Sequence, residues 1–174
     1  MSSNVRASQS TGATRFGADD TPNRRRIIEA GAIGGLVGGV CIWIYEAIVW
    51  VWAQHQMPLI GIPSNATGLV FGKDVQQVLG PLSYLLGTAI HFFFCLVWGI
   101  LFAALWPYFR RRRYEATLVA LFFAATVWVV MHLAIVIVST NHPDYLDPNV
   151  IVGGLMSHIF FAVPLALLVK RRLT

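Results

Sequence analysis

Residues 82–113 read LSYLLGTAIHFFFCLVWGILFAALWPYFRRRR, and this stretch decides the fold. From Leu82 to Tyr108 it carries no Asp, Glu, Lys or Arg, and then Arg110, Arg111, Arg112 and Arg113 follow. A helix of about 20 apolar residues, rising about 1.5 Å per residue, crosses the hydrocarbon core of a bilayer. An arginine block at the end of such a run marks the side that stays in the cytoplasm.

Working outward, three more apolar runs fall at 26–54, 115–139 and 148–169. With 82–108 they predict an all-α fold, a four-helix transmembrane bundle. The composition agrees: 56% of residues are hydrophobic and 12% charged, where a soluble domain has about 25% charged. Gly80-Pro81 and Asp147-Pro148 each set a capping residue before a proline suited to a first helical turn. The Arg110–Arg113 run predicts a tight turn between the second and third spans. Residues 1–23, rich in Ser, Thr, Gly and Asn, lack the apolar core of a signal peptide and predict a disordered cytoplasmic tail. Residues 24–174 form the transmembrane domain.

Lys and Arg set the orientation. With the N-terminus inside, Arg6, Arg15, Arg24, Arg25, Arg26, Arg110 to Arg113, Lys170, Arg171 and Arg172 are all cytoplasmic, and only Lys73 lies outside. Both termini are therefore expected in the cytoplasm. The net charge of +5 consists of span-flanking residues, so a nucleic-acid partner is not indicated. The partner implied is the lipid bilayer. On the outer side, residues 55–81 are expected as a loop with a short interfacial helix around Lys73–Leu79, and residues 140–147 as a short acidic loop. Trp50, Trp52, Trp106, Tyr108 and Tyr145 fall near span ends, as an interfacial aromatic belt does. Asn65-Ala66-Thr67 matches a glycosylation sequon, a pattern that three residues often meet by chance. Cys41 and Cys95 both lie in apolar runs and read as small apolar fillers rather than a disulfide or zinc framework.

The first span carries Gly31, Gly34, Gly35, Gly38 and Gly39. Spaced every four residues, they let another helix approach closely, within this chain, in a second copy of it or in another membrane partner. No nucleotide-binding glycine pattern occurs.

Each span holds one ionisable residue in its outer half: Glu46, His91, His132 and His158. Helical rise puts them about 12, 13, 10 and 15 Å below the outer ends of their spans. Such groups are costly in a membrane and normally turn to the bundle interior or to water. Glutamate with three histidines suits a transition metal such as Zn, Fe or Mn. Two histidines suit a b-type haem, and the set without metal suits a proton-responsive cluster. Against these stands plain interhelical hydrogen bonding, with Thr88, Thr126 and Ser157 as available partners. No H-E-x-x-H or E-x-x-H spacing is present, and an enzymatic role is the less favoured reading. His55 and His142 fall at a span edge or in an outer loop, where solvation is expected.

Tyr84 to Leu173 resembles the YagU-like family of bacterial inner-membrane proteins, a domain-of-unknown-function group. The likeness rests on His91-Phe92-Phe93-Phe94, Leu105-Trp106-Pro107, His132, His158 and the basic end Lys170-Arg171-Arg172. The opening Pro22-Asn23-Arg24-Arg25-Arg26 before a glycine-rich span is similar too, so about 150 residues are covered. The resemblance implies a four-span inner-membrane protein associated with acid resistance, with histidines at positions 91, 132 and 158. This chain departs from the family at Glu46, where the family carries Lys, and in a shorter first outer loop. Three functions follow as expectations. The leading one is acid or envelope stress tolerance through the histidines. The others are a metal- or haem-binding redox or enzymatic protein, and a structural subunit packing through the first-span glycines.

Overall fold

The computed structural model describes residues 23–139, 144 and 146–174. Among these the chain forms six α-helices and no strand: α1 (Arg24–Glu46), α2 (Gly61–Phe71), α3 (Lys73–Leu79), α4 (Leu82–Arg111), α5 (Ala116–Val138) and α6 (Pro148–Leu173). A π-helical segment, Ala47–Ala53, continues α1. The tail expected at 1–23 (all but its last residue), Arg6 and Arg15 within it, His142, Tyr145 and most of the 140–147 loop lie outside the described residues.

Four helices are long and apolar enough to cross a membrane: Arg24–Ala53, Leu82–Arg111, Ala116–Val138 and Pro148–Leu173. Local chemistry sets their ends. The Asn23 side chain accepts from Arg25 N at 3.1 Å, Glu115 Oε2 accepts from Thr117 N at 2.6 Å, and Asp147 Oδ1 accepts from Asn149 N at 2.8 Å with Pro148 opening the helix. The second span runs past residue 108 to Arg111, so the turn before α5 is confined to 112–115. Left-handed Arg113 (φ 57°) makes that turn.

The packing follows side-chain size. α1 runs along both α4 and α6. A Cβ on Gly31 would stand 2.5 Å from Ile100 Cα, and one on Gly35 would strike the Cys95 carbonyl, so this stripe lies against α4. On the adjacent face a Cβ on Gly34 would stand 2.7 Å from Leu165 Cδ1, and one on Gly38 2.6 Å from the Phe161 carbonyl, so that stripe lies against α6. A Cβ on Gly39 would stand 2.8 Å from Cys95 Sγ of α4, so all five glycines are engaged inside the chain. α5 packs on α6, with Ala116, Ala120 and Ala124 on one helix and Ala162 and Ala166 on the other all buried at four-residue spacing. α5 meets α4 through rings, Phe102 on Phe123 at 4.9 Å and Trp98 on Phe123 at 6.0 Å. Leu36, Val40, Phe93, Phe122, Ile137 and similar side chains point outward, as lipid-facing residues do.

Two details of the sequence reading need correction. The 55–81 segment holds α2 as well as α3. Its Pro58, Gly61 and Pro63 disguise a helix that is held by docking on α4. Trp106 is not an interfacial anchor: it is 3% exposed and stacks on Phe102 in the core. Thr67 of the sequon is fully buried and donates to the Ser83 carbonyl at 2.7 Å.

Candidate functional site

His132 and His158 are brought together. α5 and α6 carry them to the same level, with ring centroids 6.0 Å apart and planes inclined by 57°. Each ring is held by its own helix. His132 Nδ1 donates to the Trp128 carbonyl at 2.6 Å, and His158 Nδ1 to the Gly154 carbonyl at 2.7 Å. A carbonyl only accepts, so both Nδ1 atoms carry hydrogen and each Nε2 is the basic nitrogen of its neutral ring. Trp128 lies on His132 with centroids 4.7 Å apart. Its indole nitrogen would stand 2.7 Å from a Cβ on Gly154, so only glycine at 154 lets the rings approach. The Ser157 hydroxyl donates to the Gly154 carbonyl at 2.8 Å and lies 3.4 Å from His158 Nδ1.

His91 is placed differently. Its Nε2 donates to the Gly39 carbonyl of α1 at 3.1 Å, and its ring stacks on Trp43 with centroids 5.0 Å apart. Cys95 Sγ lies 3.6 Å from the same nitrogen. His91 therefore links α1 to α4. Thr88 and Thr126 bond neither histidine on their helices; Thr126 donates to the Phe122 carbonyl of its own helix. Glu46 is the last residue before the π-helical segment. π-Helical turns widen a helix and often accompany functional positions.

The four polar residues do not form one ligand set. Among the described residues, no group of three or more His, Cys, Asp or Glu side chains is arranged to hold a metal ion.

The arginine end has a structural role that charge counting does not reveal. Arg26 donates to the Arg172 carbonyl at 3.3 Å and Arg110 to the Leu173 carbonyl at 3.1 Å. Guanidinium groups from α1 and α4 thus cap the last turn of α6, where carbonyls and dipole favour a cation.

Lipid-facing apolar side chains, glycine- and alanine-lined helix contacts and inward-turned histidines on four long helices define a multi-pass α-helical membrane protein. No family model, curated protein or solved structure matches the chain.

Proposed function

We propose that this is a bacterial inner-membrane protein, with its arginine end and both termini in the cytoplasm, in which the His132–His158 pair responds to protons arriving from the opposite face. The observation that carries this reading is the 6.0 Å separation of the two imidazoles across the α5–α6 contact. Histidine is the side chain suited to changing charge between about pH 5 and 8. Two unit charges about 6 Å apart repel by about 3 kcal/mol at an effective dielectric of about 20, comparable with a sizeable part of a domain's stability. Double protonation then favours separation of the outer parts of α5 and α6. The further histidine of this layer, His91 of α4, is turned to the Gly39 carbonyl of α1. The resemblance to the YagU-like family leads the same way, toward tolerance of acid or envelope stress.

Spin labels at Val138 and Val152, both outward-facing, test the reading in liposomes. The distance is expected to lengthen between pH 7.5 and pH 3.5, and to stay constant in His132→Asn/His158→Asn. An unchanged distance in the unsubstituted protein would defeat the proposal. The reading as a subunit that assembles through α1 glycines has less support, since α4 and α6 cover both glycine stripes.

A further inference from the structure

At the end of the bundle opposite the arginines, α2, α3 and the start of α4 enclose an open polar groove of about 480 Å³. Its floor is a directed hydrogen-bond chain. Gln76 Nε2 donates to Ser64 Oγ at 2.7 Å, Ser64 and Ser83 hydroxyls lie 2.8 Å apart, and Ser83 Oγ donates to the Gly80 carbonyl at 2.6 Å. Ser64 and Ser83 are buried, so the floor is fixed before anything binds. Around it stand Asn65, Lys73, Gln77 and Tyr84. Lys73 is exposed and makes no hydrogen bond or ion pair among the described residues.

The surroundings identify a ligand class. Between or next to the groove-lining residues along the chain, Phe71, Val75, Val78, Leu82 and Leu85 are all exposed, Val78 by 87%. An apolar shoulder next to a polar basin, at the first turn of a membrane-spanning helix, matches an amphiphile with its chains along the shoulder. A single ammonium is a compact point charge suited to one phosphate, and the amide and phenol groups of Asn65, Gln77 and Tyr84 suit the hydroxyls of a headgroup. From this juxtaposition we infer that the groove binds the phosphate headgroup of an anionic phospholipid in the leaflet opposite the arginine end. This site is independent of the histidine pair and rests only on the chain's being a membrane protein.

The test is thermal unfolding and native mass spectrometry of the full chain in non-ionic detergent. Phosphatidylglycerol, phosphatidylcholine or inorganic phosphate is added to the unsubstituted protein, to Lys73→Ala and to Lys73→Ala/Gln77→Ala. Lipid bound at the arginine end contributes equally to all three, so the difference between proteins reports the groove. Phosphatidylglycerol is expected to raise the midpoint and to be retained about fivefold less by Lys73→Ala, the loss of one charge-assisted contact. The midpoint without lipid should be unchanged, since Lys73 takes no part in the floor. Equal phosphatidylglycerol retention by all three proteins would overturn the inference. So would equal stabilisation by inorganic phosphate, which would make this a free-anion site, or by phosphatidylcholine.

Discussion

The carbonyl of Gly39 on α1 receives the Nε2 hydrogen of His91 on α4 at 3.1 Å. The bond forms because a Cβ at Gly39 would stand 2.8 Å from Cys95 Sγ, so only glycine lets α4 come near enough. His91 is therefore the Nε2–H tautomer, whereas His132 and His158 are Nδ1–H tautomers. Among these three imidazoles, nitrogen-15 NMR should show one ring of the first kind and two of the second at neutral pH. Three rings of one kind would contradict the geometry. Replacing His91 by Phe should lower stability by about 0.5–2 kcal/mol, the range of interhelical hydrogen bonds in membranes, in a micellar unfolding titration.

Close approach also predicts a contrast between glycines. Gly35→Ala forces a methyl group against the Cys95 carbonyl and should destabilise by about 1–3 kcal/mol, as overpacking does. Gly153→Ala meets nothing nearer than Trp50 Nε1 at 3.4 Å and should be tolerated. Thermal midpoints of the two proteins in one detergent provide the comparison, and equal midpoints would count against the packing described.

Gly87 seats α2 on α4, because a Cβ there would collide with the Pro63 carbonyl. Gly87→Ala should loosen α2 and break the Thr67–Ser83 hydrogen bond while leaving the four spans assembled. Hydrogen exchange should rise in residues 61–71 and stay slow in α1, α4 and α6. Protection unchanged in 61–71 would argue against this docking.

Glu115 caps α5 from outside the membrane. The backbone N–H of Thr117, bonded to its carboxylate, holds Glu115 below its ordinary pKa of 4.5. A group lowered in the folded state contributes stability that is complete above its unfolded pKa and is lost as pH falls through the folded one. The cap should therefore help fully above about pH 4.5 and fade below it. Glu115→Gln should narrow the stability difference between pH 6 and pH 3. An unchanged difference would show that the carboxylate contributes nothing.

Much of the architecture was legible in one dimension, for identifiable reasons. Asp147-Pro148 announced the start of α6 because capping chemistry is local. Gly31, Gly34, Gly35, Gly38 and Gly39 announced close packing because their four-residue spacing survives in any helix. By contrast, α2 was hidden because Pro63 and Gly61 oppose helix formation, and contact with Gly87 overrides that local preference. Trp106 was misplaced because nearness to a span end does not reveal which way a ring faces. Ser64, Gln76 and Ser83 passed unnoticed, since each is an ordinary polar residue until three elements bring them together.

By itself, the sequence determined four long apolar helices and the segregation of nearly all basic charge to one side, because hydrophobic length and flanking charge act locally along the chain. Depth within each helix, fixed by a constant rise per residue, also put Glu46, His91, His132 and His158 near one level. Only the tertiary structure decided how they are shared out. Rotation about each helix axis and the order of neighbours are set by which side chains interdigitate. Glycine stripes give α1 to α4 and α6, and alanines join α5 to α6. That arrangement pairs His132 with His158 and turns His91 to Gly39.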